Sequence, residues 1–153
     1  WVEINRQAVS EVLNSGLDDR YEIVFAEMQP GRSIHLFGDD GLLRRMLDNL
    51  IRNSITHNPQ GCRISVSVGE ENGCCFCAIS DDGVGIEPER LKALNCGDGI
   101  ASTQGCDEKT EHGLGLKLVV QIVKAHRGTV SFSGNTPQGL DVMISLPTRP
   151  RIS

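Results

Sequence analysis

The segment between Asp39 and Asn58 constrains the fold more strongly than any other part of the chain. Its apolar residues recur at the i, i+3, i+4 spacing of an amphipathic helix, and either Asp39 or Asp40 can cap the first turn. We predict a helix that runs to about His57 and buries one face against another layer. The residues of that face are Leu42, Leu43, Met46, Leu47, Leu50, Ile51, Ser54 and Ile55.

The pattern of apolar and polar residues in the remaining chain predicts a sheet that this helix can cover. Apolar spacing predicts two further helices, over residues 2–14 and 114–125. These elements predict an α/β (α+β) fold, a two-layer sandwich whose mixed, mostly antiparallel sheet is covered on one face by about three helices. A chain of 153 residues fits one domain, over residues 1–153. The predicted strands are 21–26, 33–37, 63–68, 74–80, 129–133 and 140–146.

Composition excludes several classes of partner. Aromatic residues make up 4% of the chain and the formal net charge is -5. Base-stacking platforms need aromatic rings and phosphate backbones need surplus cations, so we expect no nucleic-acid partner. An apolar run long enough to cross a bilayer and a signal-peptide pattern are both missing, so this fragment is not expected to contact a membrane. The start at Trp1 rather than Met suggests an excised piece of a longer protein.

The six cysteines favour neither a disulfide scaffold nor a zinc site. Cys74 and Cys77 have C-x-x-C spacing, but no second pair matches it. We predict reduced cysteines in the cytosol, where those of the strand at 74–80 act as small apolar residues. Cys96 and Cys106, in a predicted loop, are the better candidates for oxidation.

Asn49 and Asn53 form the first motif that can carry chemistry. Residues i and i+4 share a helix face, so both amides can point at one spot, and amide oxygens suit Mg²⁺. Two exposed surface amides would give the same pattern.

A second motif, Asp81-Asp82-Gly83-Val84-Gly85, directly follows a predicted strand. A carboxylate there can accept a hydrogen bond from an amino group such as that of adenine, and the glycines let the backbone approach a flat ring. A tight Asp-Gly turn is the simpler alternative.

The third motif, His112-Gly113-Leu114-Gly115-Leu116-Lys117, opens a predicted helix. Such a start offers free N–H groups and the positive end of the helix dipole to phosphate. An ordinary loop-to-helix junction is the alternative.

In this order, the three motifs resemble the ATP-binding domain of the gyrase, Hsp90, histidine kinase and MutL superfamily, and most closely that of a sensor histidine kinase. Residues 47–55 resemble the N box, 79–86 the G1 box, and 112–116 with the following helix the G2 box. The resemblance implies ATP and Mg²⁺ as cofactors and a long flexible ATP lid at about residues 87–112.

The resemblance also implies roles for individual residues. Asn53 would coordinate Mg²⁺, Asn49 would lie beside the phosphates as the second catalytic residue, and Asp81 would hold the adenine amino group. Gly83 and Gly85 would shape the base pocket. The residues assigned to nucleotide binding are Asn53, His57, Asp81, Gly83, Gly85, Ile86, Lys109, His112, Gly113, Leu114, Gly115 and Leu116.

The chain departs from the family pattern at several positions. Thr56 stands where a basic residue is common, and Lys109 in the lid is a candidate to supply that phosphate contact. The Phe-rich F box is not recognisable, with Leu91 and Leu94 as candidate substitutes. Glu111 replaces a glycine, and Leu140 replaces a frequent threonine.

The reaction implied is transfer of the ATP γ-phosphoryl group to a histidine, by positioning and charge neutralisation. The four histidines, His35, His57, His112 and His126, lack the context of a phospho-acceptor. We expect the fragment to bind ATP without autophosphorylation, its acceptor lying on a dimerisation and histidine phosphotransfer domain outside it.

The implied setting is a two-component system. A response regulator receiver domain would be the next partner, and the full-length protein a homodimer in the bacterial inner membrane with this domain in the cytoplasm. The alternatives are a related serine kinase that controls a sigma factor and a degenerate docking module.

Overall fold

The fold is taken from a computed structural model, which describes residues 1–95, 111–134 and 138–148. Within these ranges the chain forms four helices and five strands. In chain order they are α1 (Val2–Asn14), β1 (Tyr21–Glu27), α2 (Asp40–His57), β2 (Cys62–Glu71), β3 (Cys74–Asp81), α3 (Pro88–Asn95), α4 (Glu111–Ala125), β4 (Thr129–Gly134) and β5 (Leu140–Pro147).

The strands form one sheet in the order β1-β2-β3-β5-β4. β1 runs parallel to β2, while the β2–β3, β3–β5 and β4–β5 pairs are antiparallel. Side chains alternate between buried and more exposed along β2, β3 and β5, as they do in a sheet with one covered face. The predicted mixed, mostly antiparallel sheet is confirmed.

Three helices cover the buried face of the sheet. α2 lies between α1 and α4 and contacts both. Its predicted apolar stripe is buried at most positions, and the inward side chains of α1 and α4 join the same core. The predicted two-layer sandwich is therefore confirmed, with α2 as its central helix. The most deeply buried core side chains include Val12, Leu43, Met46, Leu47, Ile51, Ile64, Leu116, Phe132, Ile144 and Leu146.

α2 begins where the sequence predicts. Asp39 has extended backbone angles and its side chain accepts a hydrogen bond from the Leu42 N–H at 3.0 Å, which satisfies one free donor of the first turn. Of the two candidates, Asp39 is thus the cap. At the other end, the Tyr21 hydroxyl donates to the Asn58 carbonyl at 2.7 Å.

The prediction of a strand over residues 33–37 is wrong. Ile34 is the one buried residue of this stretch, and Phe37 is 74% exposed. Leu36 is partly buried against the same core, so the side chains do alternate, but this stretch pairs with no strand of the described sheet. The stretch instead contacts the start of α1, because the Ile34 carbonyl accepts a hydrogen bond from the Trp1 amino group at 2.7 Å.

The segment after β3 contains a helix that the sequence analysis missed. Pro88 opens α3, as its fixed φ and missing N–H suit a first helical position. The helix has no buried residue, so its apolar pattern gave little signal. Its last residue, Asn95, pairs with edge strand β4: the Asn95 amide donates to the Phe132 carbonyl at 2.7 Å and accepts from the Phe132 N–H at 2.8 Å. The remainder of the predicted lid, residues 96–110, lies outside the described residues.

The described cysteines, Cys62, Cys74, Cys75 and Cys77, are free thiols. Desolvation raises the pKa of Cys62 to about 11 and that of Cys75 to about 12, and burial raises the pKa of Cys77 further. These three thiols therefore stay protonated at neutral pH and behave as small apolar side chains. Cys96 and Cys106 lie outside the described residues.

No helix in the described ranges combines the length and apolar character needed to span a bilayer.

His126, just past the end of α4, joins that helix to the start of α2. Its Nε2 accepts a hydrogen bond from the Asp39 N–H at 3.0 Å, while Nδ1 lies 2.8 Å from the Ile122 carbonyl. Only the tautomer with a proton on Nδ1 satisfies both contacts. Because the end of α4 meets the start of α2, and the two helices pack together, they run antiparallel.

We expect His126→Ala to lower the free energy of unfolding by about 1 kcal/mol, since it removes the hydrogen bond from Asp39 that joins α4 to α2 and the local one to Ile122. Urea denaturation measures the change. His35→Ala is the matched control, because His35 is exposed and a surface substitution changes stability by about 0.5 kcal/mol or less. Equal stability of the two variants would contradict this role of His126.

Candidate functional site

The C-terminal half of α2 carries buried polar side chains where an ordinary core helix would be apolar. Asn53 is 7% exposed, and its Oδ1 atom has no hydrogen-bond partner among the described residues. A buried amide oxygen without a partner costs about 1–3 kcal/mol, so its retention favours an external ligand. Asn49, one turn earlier, is half-buried. The two amides lie on one face of the helix, as their spacing predicts.

The chemistry of Asn53 fits a magnesium ion held mainly by a substrate. The described ranges contain no cluster of three His, Cys, Asp or Glu side chains that could hold a metal by itself. Mg²⁺ in nucleotide sites commonly takes only one or two protein oxygens and completes its octahedron with phosphate and water. A single buried amide oxygen therefore agrees with such an ion and does not agree with a dedicated protein cage.

Asp81 ends β3 with a carboxylate that is 4% exposed. The Ser54 hydroxyl of α2 donates to Oδ2 at 2.9 Å, while the Gly83 and Leu140 N–H groups donate to Oδ1 at 3.0 and 3.3 Å. These donors come from the helix, from the loop after β3 and from β5, so they hold the carboxylate in one orientation.

The loop after β3 (residues 82–87, the β3–α3 loop) is fitted closely to its neighbours. Gly83 lies against Asn58, and a Cβ atom at position 83 would overlap the Asn58 side-chain amide. Gly85 has φ +77° and lies against Gly139, whose carbonyl oxygen would be 3.0 Å from an added Cβ. Gly139 has φ +121° and itself lies against the Asp81 carbonyl. Glycine is required at these positions because the backbones approach too closely for a side chain.

These elements enclose a cavity of about 10 Å³ beside α2, which has room for about one water molecule, so a bound nucleotide would extend beyond it. Five residues assigned from the sequence line it, namely Asn53, His57, Asp81, Gly85 and Ile86, together with Asn58 and Leu140. Thus the structure brings the second motif and the end of the first motif together.

Three further residues shape this site without having been assigned to it. Ser54 lies in the last turn of α2 and Asn58 directly follows the helix, while Gly139 lies against Asp81 from the β4–β5 side. Ser54 was predicted as part of the apolar face, and Asn58 as part of a turn that ends the helix. The available signal was that both polar residues fall on the buried side of the helical pattern, where polar groups need partners.

The glycine-rich third motif lies inside α4 rather than before it. α4 begins at Glu111, three residues earlier than predicted, so Gly113 and Gly115 occupy its first turns. A Cβ atom added at Gly115 would meet no atom of the described residues within 4 Å, whereas the Leu116 side chain is fully buried in the core. Lys109 lies outside the described residues, and His112 and Leu114 are described only through the helix backbone.

The antiparallel packing of α2 and α4 relates the first and third motifs. Asp39 and His126 are in contact. Asn53 lies fourteen residues after Asp39, and His112 lies fourteen residues before His126. Since both helices rise by about 1.5 Å per residue, Asn53 and the start of α4 fall at about the same level. The free N–H groups of the first turn of α4 are therefore at the same end of the helix pair as the Asn53 amide.

Comparison with known proteins gives a consistent family match. Residues 38–150 match the family described as histidine kinase-, DNA gyrase B-, and HSP90-like ATPase. The chain is 32% identical over 112 residues to the sensor histidine kinase TrcS of Mycobacterium tuberculosis, which covers 69% of this chain and 22% of that protein. It is 30% identical over 128 residues to sporulation kinase B of Bacillus subtilis, which covers 83% of this chain and 28% of that protein. The chain thus spans about a quarter of the length of these curated relatives.

Solved structures show the same fold. The mycobacterial sensor histidine kinase MprB superposes with a TM-score of 0.75 at 23% identity, over 97% of this chain and 95% of that one. The ATP-binding domain of PrrB from Mycobacterium tuberculosis gives 0.72 at 19% identity, over 97% and 94%. At these identities the likeness concerns the fold alone.

We expect Gly83→Ala to lower the free energy of unfolding by about 1–3 kcal/mol, the usual cost of overpacking, because the added methyl group overlaps the Asn58 amide. Chemical denaturation measures the loss. Gly134→Ala is the control, since an added Cβ there meets no atom within 4 Å in the part of the chain that the structure describes; its stability should stay within about 0.5 kcal/mol of wild type. A Gly83→Ala protein as stable as the control would refute the close fit described here.

Proposed function

Since this chain belongs to the family of histidine kinase-, DNA gyrase B- and HSP90-like ATPases, we propose that it binds Mg-ATP as the catalytic domain of a sensor histidine kinase. One observation carries the proposal. Asn53, whose buried amide oxygen has no partner among the described residues, and Asp81, whose carboxylate is held in one orientation, line the same small cavity. The two groups suit opposite ends of a nucleotide, its metal-bound phosphates and its base.

Asp81 is proposed to recognise the adenine amino group. Its carboxylate is fixed by donors on three sides, so a ligand N–H group meets an acceptor that needs no reorientation. Gly85 and Ile86 lie in the same cavity, and the absence of a side chain at Gly85 lets a flat ring approach the backbone. His57, which lines the cavity as well, is proposed to pack near the nucleotide.

Asn53 is proposed to supply the protein ligand to Mg²⁺, with Asn49 beside the phosphates. The metal would neutralise phosphate charge, which is the main requirement of phosphoryl transfer. Gly113, in the first turn of α4, would contribute a free backbone N–H group to the phosphates. Gly115 lies one turn further on, where its N–H bonds within the helix, so it would act by leaving room beside the phosphates. The remaining assigned contacts of Lys109, His112, Leu114 and Leu116 stay predictions.

The proposed reaction is transfer of the γ-phosphoryl group to a histidine outside this chain. The curated relatives are named sensor histidine and sporulation kinases and extend far beyond the matched region, which supports an acceptor on another domain. That domain would be the dimerisation and histidine phosphotransfer domain of the same protein. A response regulator receiver domain would then take the phosphoryl group, and the full-length protein would act as a homodimer.

We expect Asn53→Ala to abolish most of the Mg²⁺ dependence of ATP binding, because it removes the amide oxygen, while metal-free binding changes little. Asp81→Asn should weaken ATP binding about tenfold or more, since a hydrogen bond to a charged group contributes about 1.5–3 kcal/mol. Titration calorimetry with Mg²⁺ and with chelator measures both effects.

Asn14→Ala is the control for both variants, since Asn14 is exposed at the end of α1. Its ATP affinity and Mg²⁺ dependence should equal those of wild type. Full Mg²⁺ dependence in Asn53→Ala, together with unchanged ATP affinity in Asp81→Asn, would overturn the proposed site.

A further inference from the structure

Asn58 is a buried asparagine that none of the expected nucleotide contacts uses. It is 4% exposed and follows the last residue of α2. Its Nδ2 donates to the Ser54 carbonyl at 2.7 Å, and its Oδ1 accepts from the Val84 N–H at 2.8 Å. One partner is only an acceptor and the other only a donor, so the orientation of the amide is determined.

The backbone of Asn58 is held as firmly as its side chain. Its carbonyl accepts hydrogen bonds from the Tyr21 hydroxyl at 2.7 Å and from the Gly61 N–H at 2.9 Å. The side chain therefore extends from a fixed point on the helix layer. Gly83 leaves the space that the amide occupies, because any Cβ there would overlap it.

The β3–α3 loop is attached to both layers of the sandwich at successive residues. Asp82 is tied to the sheet, since its carboxylate accepts from the Arg63 N–H at 2.7 Å and its N–H donates to the Arg63 carbonyl at 3.3 Å. Val84 is tied to α2 through Asn58. Between them, the Gly83 N–H donates to Asp81 Oδ1. The position of the loop relative to α2 therefore affects the orientation of the Asp81 carboxylate.

We propose that Asn58 is a positioning residue that sets the placement of the β3–α3 loop, and through it the discrimination of adenine from other bases. The proposal rests on the proposed function, since it assumes that Asp81 and Gly85 meet the base. Asn58 acts on Asp81 through Gly83 and Val84. Loss of its amide frees the Val84 N–H and allows the loop to move away from α2, while the ladder bonds of β3 keep Asp81 in the sheet.

Asn5 offers an internal control for a purely structural asparagine. It is 1% exposed, its Nδ2 donates to the carbonyl of Trp1 four residues earlier at 3.0 Å, and its Oδ1 accepts from the Cys77 thiol at 3.2 Å. The pattern matches that of Asn58, but Cys77 lies in the middle of β3 and Asn5 does not line the cavity of the candidate site. Substitution of either asparagine removes one buried amide.

The experiment compares wild type with Asn58→Ala and Asn5→Ala. The affinities of Mg-ATP and Mg-GTP are measured for each by titration calorimetry, and amide hydrogen exchange is followed at Val84. We expect Asn58→Ala to weaken ATP binding about tenfold, to reduce the preference for ATP over GTP, and to speed exchange at Val84. Asn5→Ala should lower the melting temperature to a similar extent and leave affinity, base preference and Val84 exchange unchanged.

The outcomes separate this proposal from the proposed function. Wild-type protein that does not bind Mg-ATP would overturn the proposed function, and the nucleotide role of Asn58 with it. Normal wild-type binding with equal affinity losses in the two alanine variants would overturn the positioning role alone. If Asn58→Ala does not fold, hydrogen exchange of the wild-type protein provides the test. We then expect the Val84 amide to exchange slowly without nucleotide and more slowly with Mg-ATP. Rapid exchange of this amide in both states would contradict the proposal.

Discussion

The hydrogen bond between Ser54 and Asp81 joins the two layers of the sandwich at the candidate site, and the arrangement of the site depends on it. Polar groups at this depth are costly unless they are paired, so the buried hydroxyl and carboxylate fix one another across the interface between α2 and the sheet. The same helix buries an apolar stripe along most of its length. One helix therefore supplies both the centre of the core and one wall of the pocket.

The pocket is defined by close backbone approaches as much as by side chains. Gly83, Gly85 and Gly139 occupy places where a Cβ atom would meet Asn58, the backbone of Gly139 or the backbone of Asp81. The loop after β3 can therefore lie directly between the sheet edge and α2, which brings Asp81 and Asn53 into one cavity although they are remote in sequence. Among the described buried polar atoms of this region, Asn53 Oδ1 lacks a protein partner, which favours a bound cation as its partner.

The sequence predicted the parts of the fold that depend on periodicity. α2, the central strands and the helix at 111–125 follow from apolar spacing, because each buries a continuous face. The stretch 33–37 was mispredicted because its side chains alternate as in a strand, with Ile34 buried and Leu36 partly buried, yet it pairs with no described strand. α3 was missed because it has no fully buried residue. Asn95 shows why α3 forms nonetheless, since its amide pairs with the backbone of β4, a tertiary contact that local sequence does not reveal. Most of the residues that line the cavity were named from the sequence motifs. Ser54 and Asn58 were not, because they act through contacts with residues distant in sequence, which the spacing of residues does not predict.

The central claim is that Asn53 and Asp81 bind opposite ends of the same nucleotide. A crystal structure of the chain with Mg²⁺ and a non-hydrolysable ATP analogue tests it most directly. The account predicts the adenine amino group within hydrogen-bonding distance of the Asp81 carboxylate and Mg²⁺ coordinated by Asn53 Oδ1 at about 2.1 Å. A nucleotide bound elsewhere, or a metal that leaves Asn53 Oδ1 without a partner, would contradict the account.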